Sequence, residues 1–227
     1  MERTVQIDKY EVHLFLNDID TPNIVIELAF ENHGANVLEQ YNAFGNEPFH
    51  YVVITGLDWE NDLSSWAESG LLSKSDSFGG RADIFLDVLE KDIVPKVLKE
   101  LDVAEPRLYL IGYSLAGLCV LYNGYRSNVF VGVGSISGAL WYPKFFEFVR
   151  DHTLQNSVKA VYLSLGDKEY KTRNLYMSQV QERTESIQRL LDAQGLQTVF
   201  ELNPGNHFKD ETLRIAKGIQ WLLSYKQ

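Results

Sequence analysis

Cysteine is nearly missing from this chain. Cys119 is the single one in 227 residues, so no intrachain disulfide can form, and a reducing, cytoplasmic setting is expected. Long apolar runs are missing too: none approaches the ~20 residues that a membrane span needs. The opening residues, MERTVQIDKYEV, lack the basic patch and apolar core of a secretory signal. Repeats, low-complexity tracts and Gly/Ser- or Pro-rich linkers are not found, so residues 1–227 read as one domain. Positive charge is in short supply, with 21 Lys and Arg against 31 Asp and Glu, a net −10. That sign repels phosphate and argues against nucleic acid and anionic membrane surfaces as partners. No spacing of His, Cys, Asp or Glu has the pattern of metal ligands, so no metal site is expected. These exclusions leave a soluble, acidic domain with enough chain for an enclosed site.

What is present is an alternation. Residues 5–7 and 12–16 read as short strands able to pair as an antiparallel hairpin. Apolar, β-branched runs at 24–30 (IVIELAF), 51–55 (YVVIT), 108–111, 130–133 and 160–165 (AVYLSL) suit strands covered on both faces, and 198–202 is a final strand. Helical spacing of apolar residues marks 82–101, with Pro95 as a kink or break, followed by 115–125, 143–150, 178–194 and 212–223. The expected architecture is α/β: a mostly parallel twisted sheet with an antiparallel N-terminal hairpin and helices on both faces. Ligands of such sheets sit at the carboxyl ends of the strands.

One strand end there carries a nucleophile pattern. In RLYLIGYSLAGLCVLYNGY, an apolar strand runs into Gly112-Tyr113-Ser114-Leu115-Ala116-Gly117 and directly on into a helix. This approximates the G-x-S-x-G elbow, with Ala116 in place of the last glycine. The turn is tight, so the residues two before and two after the serine must be small for strand and helix to pass. The N–H of Leu115, at the helix start, is then a candidate oxyanion donor. A small-residue turn without chemistry has the same pattern, and the partners decide between the two.

On elbow-bearing sheets the acid and then the histidine follow the nucleophile, on loops after later strands. Of five histidines, only His207 follows the last expected strand, in LNPGNHF. The strand at 160–165 ends in Gly166-Asp167-Lys168-Glu169. Both carboxylates are candidates to orient the imidazole. Glu169, about three residues past the turn glycine, is preferred; Asp167 is the alternative and could instead tighten the turn.

Together, GYSLAG, SLGDKE and NPGNHF resemble the serine-esterase branch of the α/β-hydrolase superfamily, which includes siderophore esterases of the enterobactin-esterase type and S-formylglutathione hydrolases. The resemblance spans nearly the whole chain and is more specific for fold and triad than for substrate. It implies a cofactor-free carboxylic ester hydrolase acting on a small-molecule ester through an acyl-enzyme. Its residues would be Ser114, Glu169 and His207, with minimal or no lid. It assigns the second oxyanion N–H to Phe30 or its neighbour, although LAFENHG departs from the HG or DG turn of many relatives. An acyltransferase on the same triad and a non-catalytic binding protein of this fold are the other readings.

The remaining features weigh less. GVGSISG at 132–138 has dinucleotide-like glycines, but no helix opens within it, so it reads as a tight loop presenting Trp141 and Tyr142 as an aromatic wall beside the serine. Trp59, in GLDWENDLSSW, is a further candidate substrate contact. Lys168, Lys171 and Arg173 could draw in an anion or balance local carboxylates. Phe78-Gly79-Gly80-Arg81 could be an anion-binding helix start. Cys119, on an apolar helix face, reads as core.

Overall fold

A computed structural model describes residues 2–225. The chain opens with a hairpin of β1 (Glu2–Ile7) and β2 (Tyr10–Phe15), whose turn holds Asp8 at φ 53. Then come β3 (Asn23–Leu28), α1 (Gly34–Asn42) and β4 (His50–Thr55). An excursion over α2 (Trp59–Asp62), β5 (Ala67–Ser69) and β6 (Ser77–Gly79) follows, leading to α3 (Ala82–Val88) and α4 (Val94–Leu101). The remainder alternates: β7 (Arg107–Tyr113), α5 (Leu115–Asn123), β8 (Gly132–Ile136), α6 (Phe145–Asp151), β9 (Ala160–Gly166), α7 (Val180–Ala193), β10 (Gln197–Asn203) and α8 (Glu211–Ser224).

Eight strands form one sheet in the order β1-β2-β4-β3-β7-β8-β9-β10. Only the β1–β2 and β2–β4 pairings are antiparallel. The others are parallel, so strands β3, β4, β7, β8, β9 and β10 deliver their carboxyl ends to one edge. Side chains alternate across the sheet. Ile24, Ile26 and Leu28 join a core with Leu86, Ile93, Leu118 and Ile187 from the helices of one face. Val25 points the other way, with Val53 and Ile111, onto Val37 of α1 and Ile215, Ile219 and Leu222 of α8. Each fully buried aliphatic side chain contributes roughly 1.5–3 kcal/mol.

Three local expectations need correction. The helix expected over 82–101 is divided by a π turn, Leu89–Ile93, just ahead of Pro95. Proline has no N–H to give to the previous turn, and the wider turn absorbs that loss. Second, GVGSI is not a loop but strand β8 itself. A Cβ on Gly132 would lie 2.9 Å from the Tyr109 ring and one on Gly134 2.8 Å from Ile111 Cγ2, with Leu222 of α8 close behind both. The glycines therefore serve close helix-on-sheet packing and hold no dinucleotide turn. Third, α1 and the small β5–β6 hairpin lie where no regular element was expected.

At the elbow the steric demand is explicit. A Cβ on Gly112 would lie 2.6 Å from the carbonyl carbon of Ala116 and 2.7 Å from its Cβ. Gly112→Val is therefore expected to lower the unfolding free energy by about 3 kcal/mol, the upper end of ordinary overpacking. A reduced urea midpoint at unchanged m-value would register it.

Candidate active site

Ser114 sits between β7 and α5 at φ 59, ψ −121, a conformation that L side chains rarely adopt. Its backbone is fixed from both sides: Ser114 N–H donates to Ile136 O (3.0 Å), and Ser114 O accepts from Ala139 N–H (2.9 Å). Among the described residues no acceptor is paired with the N–H of Leu115 or of Phe30. The first is orphaned as the opening residue of a helix. The second lies where the chain has left β3, just beyond Ala29, whose N–H still bonds Ile54 O.

His207 comes from the loop between β10 and α8. Its Nε2 lies 3.0 Å from Ser114 Oγ and its Nδ1 lies 2.8 Å from Glu169 Oε2. The other carboxylate oxygen of Glu169, Oε1, accepts from Ser137 Oγ (2.8 Å), Arg214 Nη1 (3.0 Å) and the N–H of Gly166 (2.5 Å). Burial opposes the charge on Glu169. The hydrogen bond and charge of His207, with the donors of Gly166 and Ser137, outweigh it and hold the carboxyl below its ordinary range. Asp167 faces elsewhere. Its Oδ1 accepts from Gly205 N–H (2.8 Å) and so ties down the turn that carries the histidine.

Two open clefts meet at Ser114 and His207. One, of about 590 Å3, is lined by Phe30, Trp59, His33, Phe208 and Glu211. The other, of about 650 Å3, is lined by Leu72, Trp141, Met177, Val180 and Phe208. Phe30 stands edge-on to Trp59 at 5.5 Å. Tyr142, expected in the wall beside Trp141, is instead core: it is 2% exposed and donates its hydroxyl to Trp66 O (2.8 Å). The tight turn after β8 sends the two neighbouring aromatics in opposite directions. Lys168, Lys171 and Arg173 are exposed and line neither cleft. The helix start at 79–81 holds no free anion site, because Gly80 N–H donates to Ser64 Oγ and Arg81 N–H to Asn61 O. Cys119 is fully buried, and burial pushes its thiol far above the ordinary range. Among the described residues, no three His, Cys, Asp or Glu side chains are grouped to hold a metal ion, and no helix is long and apolar enough to cross a membrane.

Sequence reasoning missed two sets of residues. Arg214 of α8 is 1% exposed and touches Glu169 directly. Its signal was readable: it falls on the apolar side of the helix, four residues before Gly218 and eight before Leu222. The other set is Glu27, His33 and Glu211, beside the first cleft. Glu27 is buried in β3, accepting from the Tyr51 hydroxyl and lying 2.9 Å from His33 Nε2. Burial works against a charged His33, but the bond and charge of Glu27 raise its pKa. A carboxylate in the middle of the apolar run IVIELAF was the available signal.

Because the folded Glu169 carboxyl titrates below its unfolded value, its stabilising contribution is complete above that value and is lost as pH falls through the folded one. Glu169→Gln also leaves the buried Arg214 unpaired. The variant is expected to be about 3–5 kcal/mol less stable at neutral pH. The gap should narrow as pH falls through the range in which the wild-type carboxyl is also protonated. Urea unfolding of both proteins across an acidic pH series measures this.

No family model matches the chain. The uncharacterized protein YbbA of Bacillus subtilis (strain 168) is 24% identical in a 192-residue alignment, with 80% of this chain and 77% of that protein covered. Among solved structures, an IroE-like serine hydrolase from Shewanella oneidensis superposes with a TM-score of 0.80 at 16% identity, covering 98% of this chain and 79% of that one. The siderophore hydrolase EstA from Aspergillus nidulans superposes with a TM-score of 0.76 at 16% identity, covering 98% and 93%. With 98% of this chain covered in both, and a mostly parallel eight-stranded sheet that opens on an antiparallel hairpin, the chain has the α/β-hydrolase fold.

Proposed function

We propose that this chain is a serine hydrolase that cleaves carboxylic esters of small molecules. The observation that carries the reading is the unbroken series from Ser114 Oγ to His207 Nε2 and from His207 Nδ1 to Glu169 Oε2, at 3.0 and 2.8 Å. In that arrangement the imidazole accepts the serine proton as Oγ attacks the ester carbonyl, and Glu169 stabilises the imidazolium. The unpaired N–H groups of Leu115 and Phe30 are the donors for the oxyanion. The imidazolium then protonates the departing alkoxide, leaving an acyl-serine. Water deprotonated by His207 attacks that acyl carbon, the bond to Ser114 Oγ breaks, and the imidazolium returns the proton to Oγ as the acid is released. Trp59 and Trp141 contact the two sides of the ester from their separate clefts. The names of the neighbours, a serine hydrolase and a siderophore hydrolase, agree with this chemistry.

Ser114→Ala is expected to reduce the hydrolysis of a small aryl ester by a factor on the order of 10⁴ or more while leaving the circular dichroism spectrum unchanged. Activity retained in that variant would sink the proposal. Among the acids, Glu169→Gln should lose about 10²–10⁴-fold in kcat, whereas Asp167→Asn, which only loosens the Gly205 turn, should stay within about tenfold. A larger loss in the second variant reverses the assignment of the acid.

A further inference from the structure

Arg214 sits where three segments converge. Its Nη1 donates to Glu169 Oε1 (3.0 Å), Ser137 Oγ (2.9 Å) and the hydroxyl of Tyr113 (3.2 Å), the residue before Ser114. Its Nη2 donates to the carbonyls of Asn206 (2.8 Å) and Pro204 (3.4 Å), on the loop that carries His207. The Tyr113 hydroxyl in turn donates to His207 O (2.5 Å). One guanidinium thus touches the elbow, the acid and the histidine loop. The backbone makes room for it: a Cβ on Gly166 would lie 2.7 Å from Arg214 Nη2 and 2.4 Å from Gly205 O.

Stability does not explain such a residue. The side chain is 1% exposed, and its Nε–H finds no acceptor among the described residues. Burying a charge and leaving a donor unpaired both carry a cost, and apolar replacements of buried ion pairs are often as stable. The return lies in the chemistry. Glu169 divides its two oxygens between Arg214 and His207. The flat fork ties carbonyls 204 and 206 to the acid, which fixes the reach of the imidazole.

We infer that Arg214 is a positioning residue for the Ser114–His207–Glu169 array, locking the histidine loop to the acid. The inference rests on Ser114 being an ester-cleaving nucleophile. Two variants test it, read by kcat and KM per folded molecule on a small aryl ester, with Ser114→Ala as control. Arg214→Lys keeps the charge and loses the planar fork. It is expected to lower kcat about 10- to 100-fold with KM within about threefold. Arg214→Gln removes fork and charge together and is expected to lose at least as much in kcat. A purely structural role would lower the yield of folded enzyme and leave kcat per folded molecule unchanged. Wild-type kcat in the lysine variant overturns the inference while Ser114-dependent activity persists. If the glutamine variant does not fold, kcat of the lysine variant still decides the positioning role. A wild-type protein that cleaves no ester, or a Ser114→Ala control with full activity, overturns the esterase reading and this inference with it.

Discussion

Everything at the site depends on a steric constraint, the passage of α5 across the end of β7 with a single residue between them. That residue, Ser114, is held at φ 59, and nothing local favours such a conformation. It persists because Gly112 and Ala116 meet almost in contact and because the neighbouring strand grips the serine through Ile136 and the turn at Ala139. The sheet is thus a clamp as well as a core. Its two buried faces supply the free energy, and a small part of it is stored in one strained turn.

The side chains around the serine arrive from distant parts of the chain, and their loops are fastened to one another more than to the sheet. Asp167 ties the acid turn to Gly205, Lys168 N–H donates to Gly205 O (3.0 Å), and Arg214 spans from Glu169 to the carbonyls of Pro204 and Asn206. The acid loop and the histidine loop behave as one cross-linked unit resting on the parallel pair β9–β10. Strain in the turn and rigidity in the loops are complementary. The serine is exposed by the first and met at hydrogen-bond distance because of the second.

Most of the framework was legible in the sequence because buried parallel strands announce themselves as short β-branched runs, and an elbow requires small residues at fixed spacing. The glycines of β8 misled for a physical reason. Glycine is permissive in loops, yet here it makes room for Leu222 of α8, a contact that only the packed structure reveals. Trp141 and Tyr142 were likewise indistinguishable as neighbours, and the direction of a turn sends one to a cleft and the other to the core. Helix α1 was hidden because its buried residues, Gly34, Val37 and Tyr41, make too sparse a stripe to stand out. Arg214 was passed over because a charge on a helix is ordinarily solvated, although its place on the apolar side contradicted that rule.

The lone thiol has an experimental use that follows from where it lies. Cys119 is in the first turns of α5, with no exposed surface and its ionisation suppressed by burial. A thiol reagent reaches it only when α5 lifts from the sheet. With no second cysteine to confuse the signal, labelling kinetics at this one sulfur become a clock for opening of the elbow helix, readable in the unmodified protein.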